Sequence, residues 1–504
     1  VVPQVLGHTY YSKKYFHKLL KTPNNPIQQT FLDVREVSVY YISRLVPFVL
    51  LYGDHIINKL ARNLKKKENE TMKRILLYLL IAGIFTTAYA DGKLKEQVDN
   101  SAEQIESKVI EWRRHFHQFP ELSNREFKTA EKIAEHLKSL GLDVKTGVAH
   151  TGVVGLLKGG KAGPVVGLRA DMDALPVTER VDVPFASKVR AKYNGHEVGV
   201  MHACGHDSHM AILMGVAEIL SSMQKDLAGS VKFIFQPAEE GAPQGEEGGA
   251  ELMVKEGVLK NPEVDVIFGL HIWALAEVGT ISYRPQGMMA ASDGLRIKVK
   301  GKQTHGSTPW TGIDPITVSA QIIIGLQTII SRQTELTEEA AVITIGSIHG
   351  GVRSNIIPEE VEMIGTIRTF NTDMQDKIHE KIRLTVTKIA ESAGAAADVR
   401  ISTGCPVTYN DPELTAMMLP SLKAAAGGEN VKLIKAITGA EDFSFFQQQI
   451  PGLYFFLGGM PKGKKVEEAA PHHSPDFYID ESGLKLGLRV LPYLVLDYMD
   501  KYGK

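Results

Sequence analysis

Cys204, His206, Asp207 and His209 crowd into MHACGHDSHMA, and Glu239 stands beside Glu240 in QPAEE. Asp171 and Asp173 alternate in RADMDALP, His271 follows an apolar run, and His472 and His473 adjoin in PHHSP. Cys, His and Glu form the ligand set of zinc and similar metals. A cysteine at a helix entrance beside such a metal is a thiolate. Two adjacent glutamates allow a division of labour, one carboxylate binding metal while its neighbour takes a proton from water. Each residue alone has a plainer explanation. A single histidine is usually a hydrogen-bonded structural group, Asp171 and Asp173 suit turns, Asp207 or Ser208 suits a helix cap, and Glu239-Glu240 suits a solvated loop. Their recurrence at one kind of position favours the chemistry.

That position is the end of an apolar strand. Asp171 and Asp173 follow Val165–Leu168, the Glu pair follows Val231–Phe235, and His271 follows Val264–Leu270. His472 and His473 lie on the loop after Leu453–Leu457. Short, nearly continuous apolar segments alternating with helical ones, such as Met210–Leu220, predict an α/β sheet with a parallel core. Ligand sites in such sheets form at the carboxyl ends of the strands. A capping box at Ser101–Gln104 predicts a first helix over Ile105–Phe116. A second is expected from Arg125 to Leu140, stopped by Gly141.

From about residue 290 the pattern changes. Leu295–Val299, Ala341–Ile345, Val361–Thr369 and Ala397–Ser402 read as strands, with helices over Pro315–Arg332 and Asp376–Ser392. That β-α-β-β-α-β order is the split βαβ order of a ferredoxin-like unit. The parallel style then returns with Leu433–Ile437 and Leu453–Leu457. The expected fold is therefore α/β, with a mixed, mostly parallel sheet and helices on both faces. A ferredoxin-like inserted domain at 290–402 interrupts a catalytic domain made of 91–289 and 403–504.

The chain has 504 residues, with 57 Lys and Arg against 58 Asp and Glu, and two cysteines. A net charge near zero gives no reason to expect nucleic-acid binding, and two cysteines cannot staple a disulfide scaffold. Residues 1–71 differ, with 11 Lys and Arg against 5 Asp and Glu. Met72-Lys73-Arg74, the apolar run Ile75–Phe85 and Ala88-Tyr89-Ala90 before Asp91 have the parts of a secretory signal peptide. Translation is thus expected to start at Met72, with 1–71 an upstream extension, 72–90 the signal peptide, and the mature protein periplasmic or secreted. The rival is a basic leader lying on a membrane through Val39–Tyr52. No membrane contact is expected of the mature chain.

CGHD, QPAEEG, GLHIW, KGKQTHGSTP, GVRSNIIP, GAEDFS and HHSPDF occur in that order over about residues 105–495. Together they resemble the metal-dependent amidohydrolases related to hippurate hydrolase, N-acyl-amino-acid deacylases and plant auxin-conjugate hydrolases. The resemblance implies two divalent ions per subunit, with Mn, Zn, Co and Ni not distinguished. Cys204 would bridge them, Glu240 and His473 completing one ligand set and His206 and His271 the other. Glu239 would be the general base and then the acid that protonates the leaving amine. His305 would polarise the scissile carbonyl in a neighbouring active site, reached through a dimer of inserted domains. Arg353 and Asn355 would hold the substrate carboxylate. Asp171 stands where wider relatives place a metal-binding His, so it and Asp173 would support ligands from behind. His202, His209 and His472 are expected to be structural, Glu441 and Asp442 to start a helix, and Cys405 to be a lone buried thiol.

The activity implied is hydrolysis of N-acyl amino acids to a free acid and an amino acid. A metallo-dipeptidase or carboxypeptidase would use the same chemistry on a peptide. A non-catalytic binding protein of the same fold would have no need of Glu239.

Overall fold

The computed structural model describes the backbone of residues 70–503 and the side chains of 92–503. The expected upstream extension lies outside these residues up to position 69. The expected signal peptide is described only as helical backbone. The chain divides into two compact units between Thr87 and Ala88, and everything below concerns the second.

Its centre is an eight-stranded sheet in the order Asp143–Val148, Gly152–Lys158, Ala228–Gln236, Lys161–Asp171, Val266–Glu277, Gly452–Met460, Ile281–Tyr283, Val431–Leu433. The four middle strands run parallel to one another. They read as unbroken apolar runs because both faces are covered. In Gly452–Met460, Leu453, Phe455 and Leu457 point into one apolar core and Tyr454 and Phe456 into another. The first core packs under the helices Phe127–Ser139, His206–Ser222, Pro412–Ala426 and Leu484–Tyr502, and the second under Gly249–Lys255 and Ser444–Gln447.

Between Ala291 and Thr403 the chain builds a separate antiparallel sheet in the order Ala341–His349, Glu360–Thr369, Ala291–Lys300, Ala396–Thr403. This is the ferredoxin-like order. The helices Pro315–Gln333 and Thr372–Ser392 cover one face, with Leu295, Ile297 and Val299 alternating into an independent core. Asp314 and Asn371 cap these helices, accepting backbone N–H bonds from Ile316 and Met374 respectively.

Two expectations need correction, and one element was missed. Ser101 caps nothing, because it lies inside a helix that was already under way before it and ends at Gln118. Val98, Ala102, Val109 and Phe116 form one buried stripe that starts before the capping box, so the helix has a reason to continue. Leu433–Ile437 is not a strand. Strand pairing covers Val431–Leu433, at the sheet edge, where Leu433 is 66% exposed, and Ile437 makes just an isolated bridge to Met289. The antiparallel hairpin Asp143–Lys158 went unrecognised because its outer strand, DVKTGV, is mostly exposed.

Candidate metal centre

Gly205 sets the geometry of the CGHD segment. Its φ is +95°, and a Cβ there would lie 2.2 Å from Ile272 Cγ2, so only glycine fits. The chain turns at that point, leaving Cys204 before the turn and His206 as the first residue of the helix His206–Ser222. His271 is not beyond its strand but inside it, since Val266–Glu277 extends past the apolar run. His473 sits on the loop after Gly452–Met460 with φ +62°.

These elements bring five side chains together. Cys204 Sγ lies 3.4 Å from His271 Nε2 and 3.3 Å from His473 Nε2. Glu240 Oε1 is 3.1 Å from His473 Nε2 and 3.9 Å from His206 Nε2. Two triads share the sulfur, Cys204 with His206 and His271, and Cys204 with Glu240 and His473; within each, the ligand atoms lie inside 4.8 Å of one another. His206 Nε2 is buried with no hydrogen-bond partner among the described residues, and Glu240 Oε1, equally buried, has only the His473 ring beside it. Burial without a partner is costly, and His206 Nε2 and Glu240 Oε1 both face the cluster, so the donor set fits divalent cations shared through a thiolate.

The histidine protons agree. His206 Nδ1 donates to the Asp173 carbonyl at 2.9 Å and His271 Nδ1 to the Ile272 carbonyl at 2.6 Å. His271, kept neutral by burial, therefore turns a bare Nε2 toward the sulfur, and His206 presents its Nε2 to the cluster, where a cation would displace its proton. His472 is the opposite case. Its Nε2 accepts the Ala274 N–H at 3.0 Å, which leaves Nδ1 as the donor, 3.7 Å from Cys204 Sγ, while its ring stacks on Trp273. His209 is saturated too, with Nδ1 on Asp171 Oδ1 at 2.6 Å and Nε2 accepting the Ile272 N–H at 2.7 Å. His202 is buried apart from both triads, and burial lowers it to about 3, so it is neutral.

Electrostatics separate the roles. Burial, then the carboxylates of Glu240, Glu239 and Asp171, push the Cys204 thiol well above its usual range. A thiolate there needs cationic company. Burial opposes a charge on His206, yet Asp171, Asp173 and Glu240 raise it to about 10, a measure of how negative the cluster is. Glu239 Oε2 stands 3.8 Å from His206 Nε2. Burial, then Glu441 and Glu240, raise Glu239 well above the ordinary carboxylate range.

Asp173 Oδ2 accepts the Ser123 hydroxyl at 2.7 Å and the Glu240 N–H at 3.0 Å. Asp171 is bound by His209 and by Arg169 Nη1 at 2.7 Å. Arg169 is a residue that sequence reasoning missed. Fully buried, it also donates to Gln236 Oε1 at 2.8 Å and to Glu441 Oε1 and Asp442 Oδ1, each at 2.9 Å. Glu239, Glu441 and Asp442 form a further close acidic group, and Arg169 is the cation bonded to two of its members. Asp207 turns away from the centre to Arg113 Nε and His117 Nδ1, both at 2.8 Å. No local pattern marks Arg169, because Glu441 and Asp442 lie some 270 residues away.

His305, Arg353 and Asn355 do not join this cluster. They share a short ribbon in which Thr304–His305 pairs with Ile356–Ile357 and Gly306 N–H donates to the Asn355 carbonyl at 2.9 Å. All three are exposed. Cys204 and Cys405 are both free thiols.

The profile of peptidase family M20/M25/M40 matches residues 167–497. Thermostable carboxypeptidase 2 of Saccharolobus solfataricus is 40% identical over 410 residues, covering 81% of this chain and all of that protein. N-acetyl-L-cysteine deacetylase of Bacillus subtilis is 35% identical over 382 residues, 75% of this chain and 85% of that one. A solved Bacillus subtilis protein described as a dinuclear metal binding peptidase from the M20 family superposes with a TM-score of 0.65 at 34% identity, covering 78% of this chain and 98% of its own. A cysteine-centred ligand cluster at the strand ends of this sheet, with an inserted ferredoxin-like unit, is thus found in a chain that belongs to the M20/M25/M40 peptidase family, the metal-dependent hydrolases of linear amide bonds.

Proposed function

We propose that this protein is an exported hydrolase of N-acyl amino acids that works with two divalent cations. The observation that carries the reading is the pair of triads sharing Cys204, with Glu239 beside them and outside both. Cys204, Glu240 and His473 would hold one cation and Cys204, His206 and His271 the other. Such cations supply Lewis-acid polarisation of the amide carbonyl and a more acidic water. Glu239 takes the proton of the attacking water and returns it to the leaving amine nitrogen, so the amine departs neutral. Asp173 and the Ile272 carbonyl keep the His206 and His271 rings turned toward the centre.

The Thr304–Ile357 ribbon would serve a neighbouring site in a dimer built on the inserted sheet. Arg353 offers a planar fork for the substrate carboxylate, Asn355 a further donor, and the partner subunit's His305 would polarise the scissile carbonyl. Support comes from exposed apolar side chains around the ribbon, with Val352 97% and Trp310 78% exposed, which fits an interface. Cleavage after Ala90 would release the mature chain, and the N-terminal peptide of protein recovered from outside the cytoplasm tests that.

The second reading is a carboxypeptidase, favoured by the 40% identity to a relative so named. Metal-loaded protein assayed against N-acetyl and N-benzoyl amino acids and dipeptides discriminates the two. Chelator-sensitive release of amino acids from acyl substrates is expected, and cleavage of dipeptides alone would replace this reading with the second.

A further inference from the structure

Ala238, directly before Glu239 and Glu240, has φ +53°, in the left-handed region that residues with a Cβ seldom enter. A backbone state of that kind persists only where its surroundings enforce it. The enforcement here is visible. The Ala238 N–H donates to Glu126 Oε1 at 3.0 Å, and Glu126 Oε2 accepts the Thr151 hydroxyl at 2.6 Å. Glu126 is completely buried and Thr151 nearly so. Two residues further on, the Glu240 N–H is held by Asp173 Oδ2. On another side the turn is hemmed in by Gly248, where a Cβ would lie 3.1 Å from the Ala238 Cβ.

We propose that Glu126 is a positioning residue, whose hold on the Ala238 N–H keeps the turn 237–241 in the backbone state that aims Glu239 and Glu240 at the Cys204 cluster. This rests on Glu239 being the group that moves the proton. What the turn requires of residue 126 is an acceptor for Ala238 and a partner for Thr151. A glutamine supplies both, its carbonyl oxygen accepting from Ala238 and its amide donating to the threonine oxygen. An alanine supplies neither, leaving a buried N–H unpaired and Ala238 free to return to negative φ.

The test uses the full chain loaded with Mn, N-acetyl-L-methionine as substrate, and hydrogen exchange of the peptide spanning Ala238. In Glu126→Ala we expect kcat to fall about tenfold or more with KM nearly unchanged, since small misplacements of a reacting group act on the chemical step. Exchange at Ala238 should quicken, and Glu126→Gln should recover most of the lost kcat and the slow exchange. Wild-type kcat in Glu126→Ala overturns the proposal, as does a Glu126→Gln protein as impaired as the alanine variant. If Glu126→Ala does not fold, Thr151→Val decides: quicker exchange at Ala238 with lowered kcat supports the proposal, and wild-type values of both overturn it. Glu239→Gln, run alongside, separates the two levels. Turnover by that variant overturns the proton-transfer reading itself, whereas an inert Glu239→Gln with a fully active Glu126→Ala overturns the positioning role alone.

Discussion

Replacing Arg169 by methionine should destabilise the large sheet more than loss of any surface charge. The side chain is 1% exposed and makes four hydrogen bonds, three of them to carboxylates on Asp171, Glu441 and Asp442. Taken singly, hydrogen bonds to charged groups contribute about 1.5–3 kcal/mol each, but they are not additive. Removing one member of a buried ionic network costs about 3–5 kcal/mol, because the partners stay buried without compensation. The loss is capped by proton uptake, which neutralises a stranded carboxylate at about 1.4 kcal/mol per pKa unit. A fall of about 4 kcal/mol corresponds to less than roughly 8 °C in Tm, because the shift per kcal/mol shrinks as the unfolding entropy grows with domain size. Calorimetry and urea unfolding of wild-type, Arg169→Met and Arg169→Lys proteins measure it. The lysine keeps the charge but not the fork, so it should fall between the other two. An Arg169→Met protein within about 1 kcal/mol of wild type would refute the reasoning, since that is the range of an exposed ion pair.

Two other substitutions probe the metal centre itself. Gly205→Ala combines a positive φ with a 2.2 Å clash on Ile272; we expect a loss of about 2 kcal/mol or more and weakened metal binding, read by denaturation and elemental analysis. His473→Ala should lower the number of bound ions, whereas His472→Ala should keep it, because His472 spends its lone pair on the Ala274 N–H. Equal metal contents in these two variants would contradict the tautomer argument.

Much of this architecture was legible because doubly covered parallel strands leave continuous apolar runs, and because the ferredoxin-like unit alternates cleanly in Ala291–Lys300. The residues of the candidate metal centre were visible as motifs, Glu240 and His473 past strand ends and Cys204 and His206 at a helix entrance, while His271 proved to lie inside its strand. The support behind them was not. Glu126 reads in sequence as the start of a helix, yet its carboxylate acts 112 residues away at Ala238. Arg169 looks like a strand-end charge until the fold buries it among partners distant in the chain. The edge hairpin and the short strand Val431–Leu433 failed for a related reason, since exposed edge strands carry little hydrophobic signature. Ser101 misled because a local capping pattern lost to a buried stripe continuing across it.

The central claim is that Cys204 joins two cation sites while Glu239 binds neither and moves the proton. Counting metal in purified wild-type, Cys204→Ala and Glu239→Gln proteins, with hydrolysis of an N-acyl amino acid measured on the same samples, tests it most directly. The account predicts two ions and turnover in wild type, two ions without turnover in Glu239→Gln, and fewer than two ions in Cys204→Ala. A Cys204→Ala protein that keeps both ions, or a Glu239→Gln protein that turns over at the wild-type rate, would contradict it.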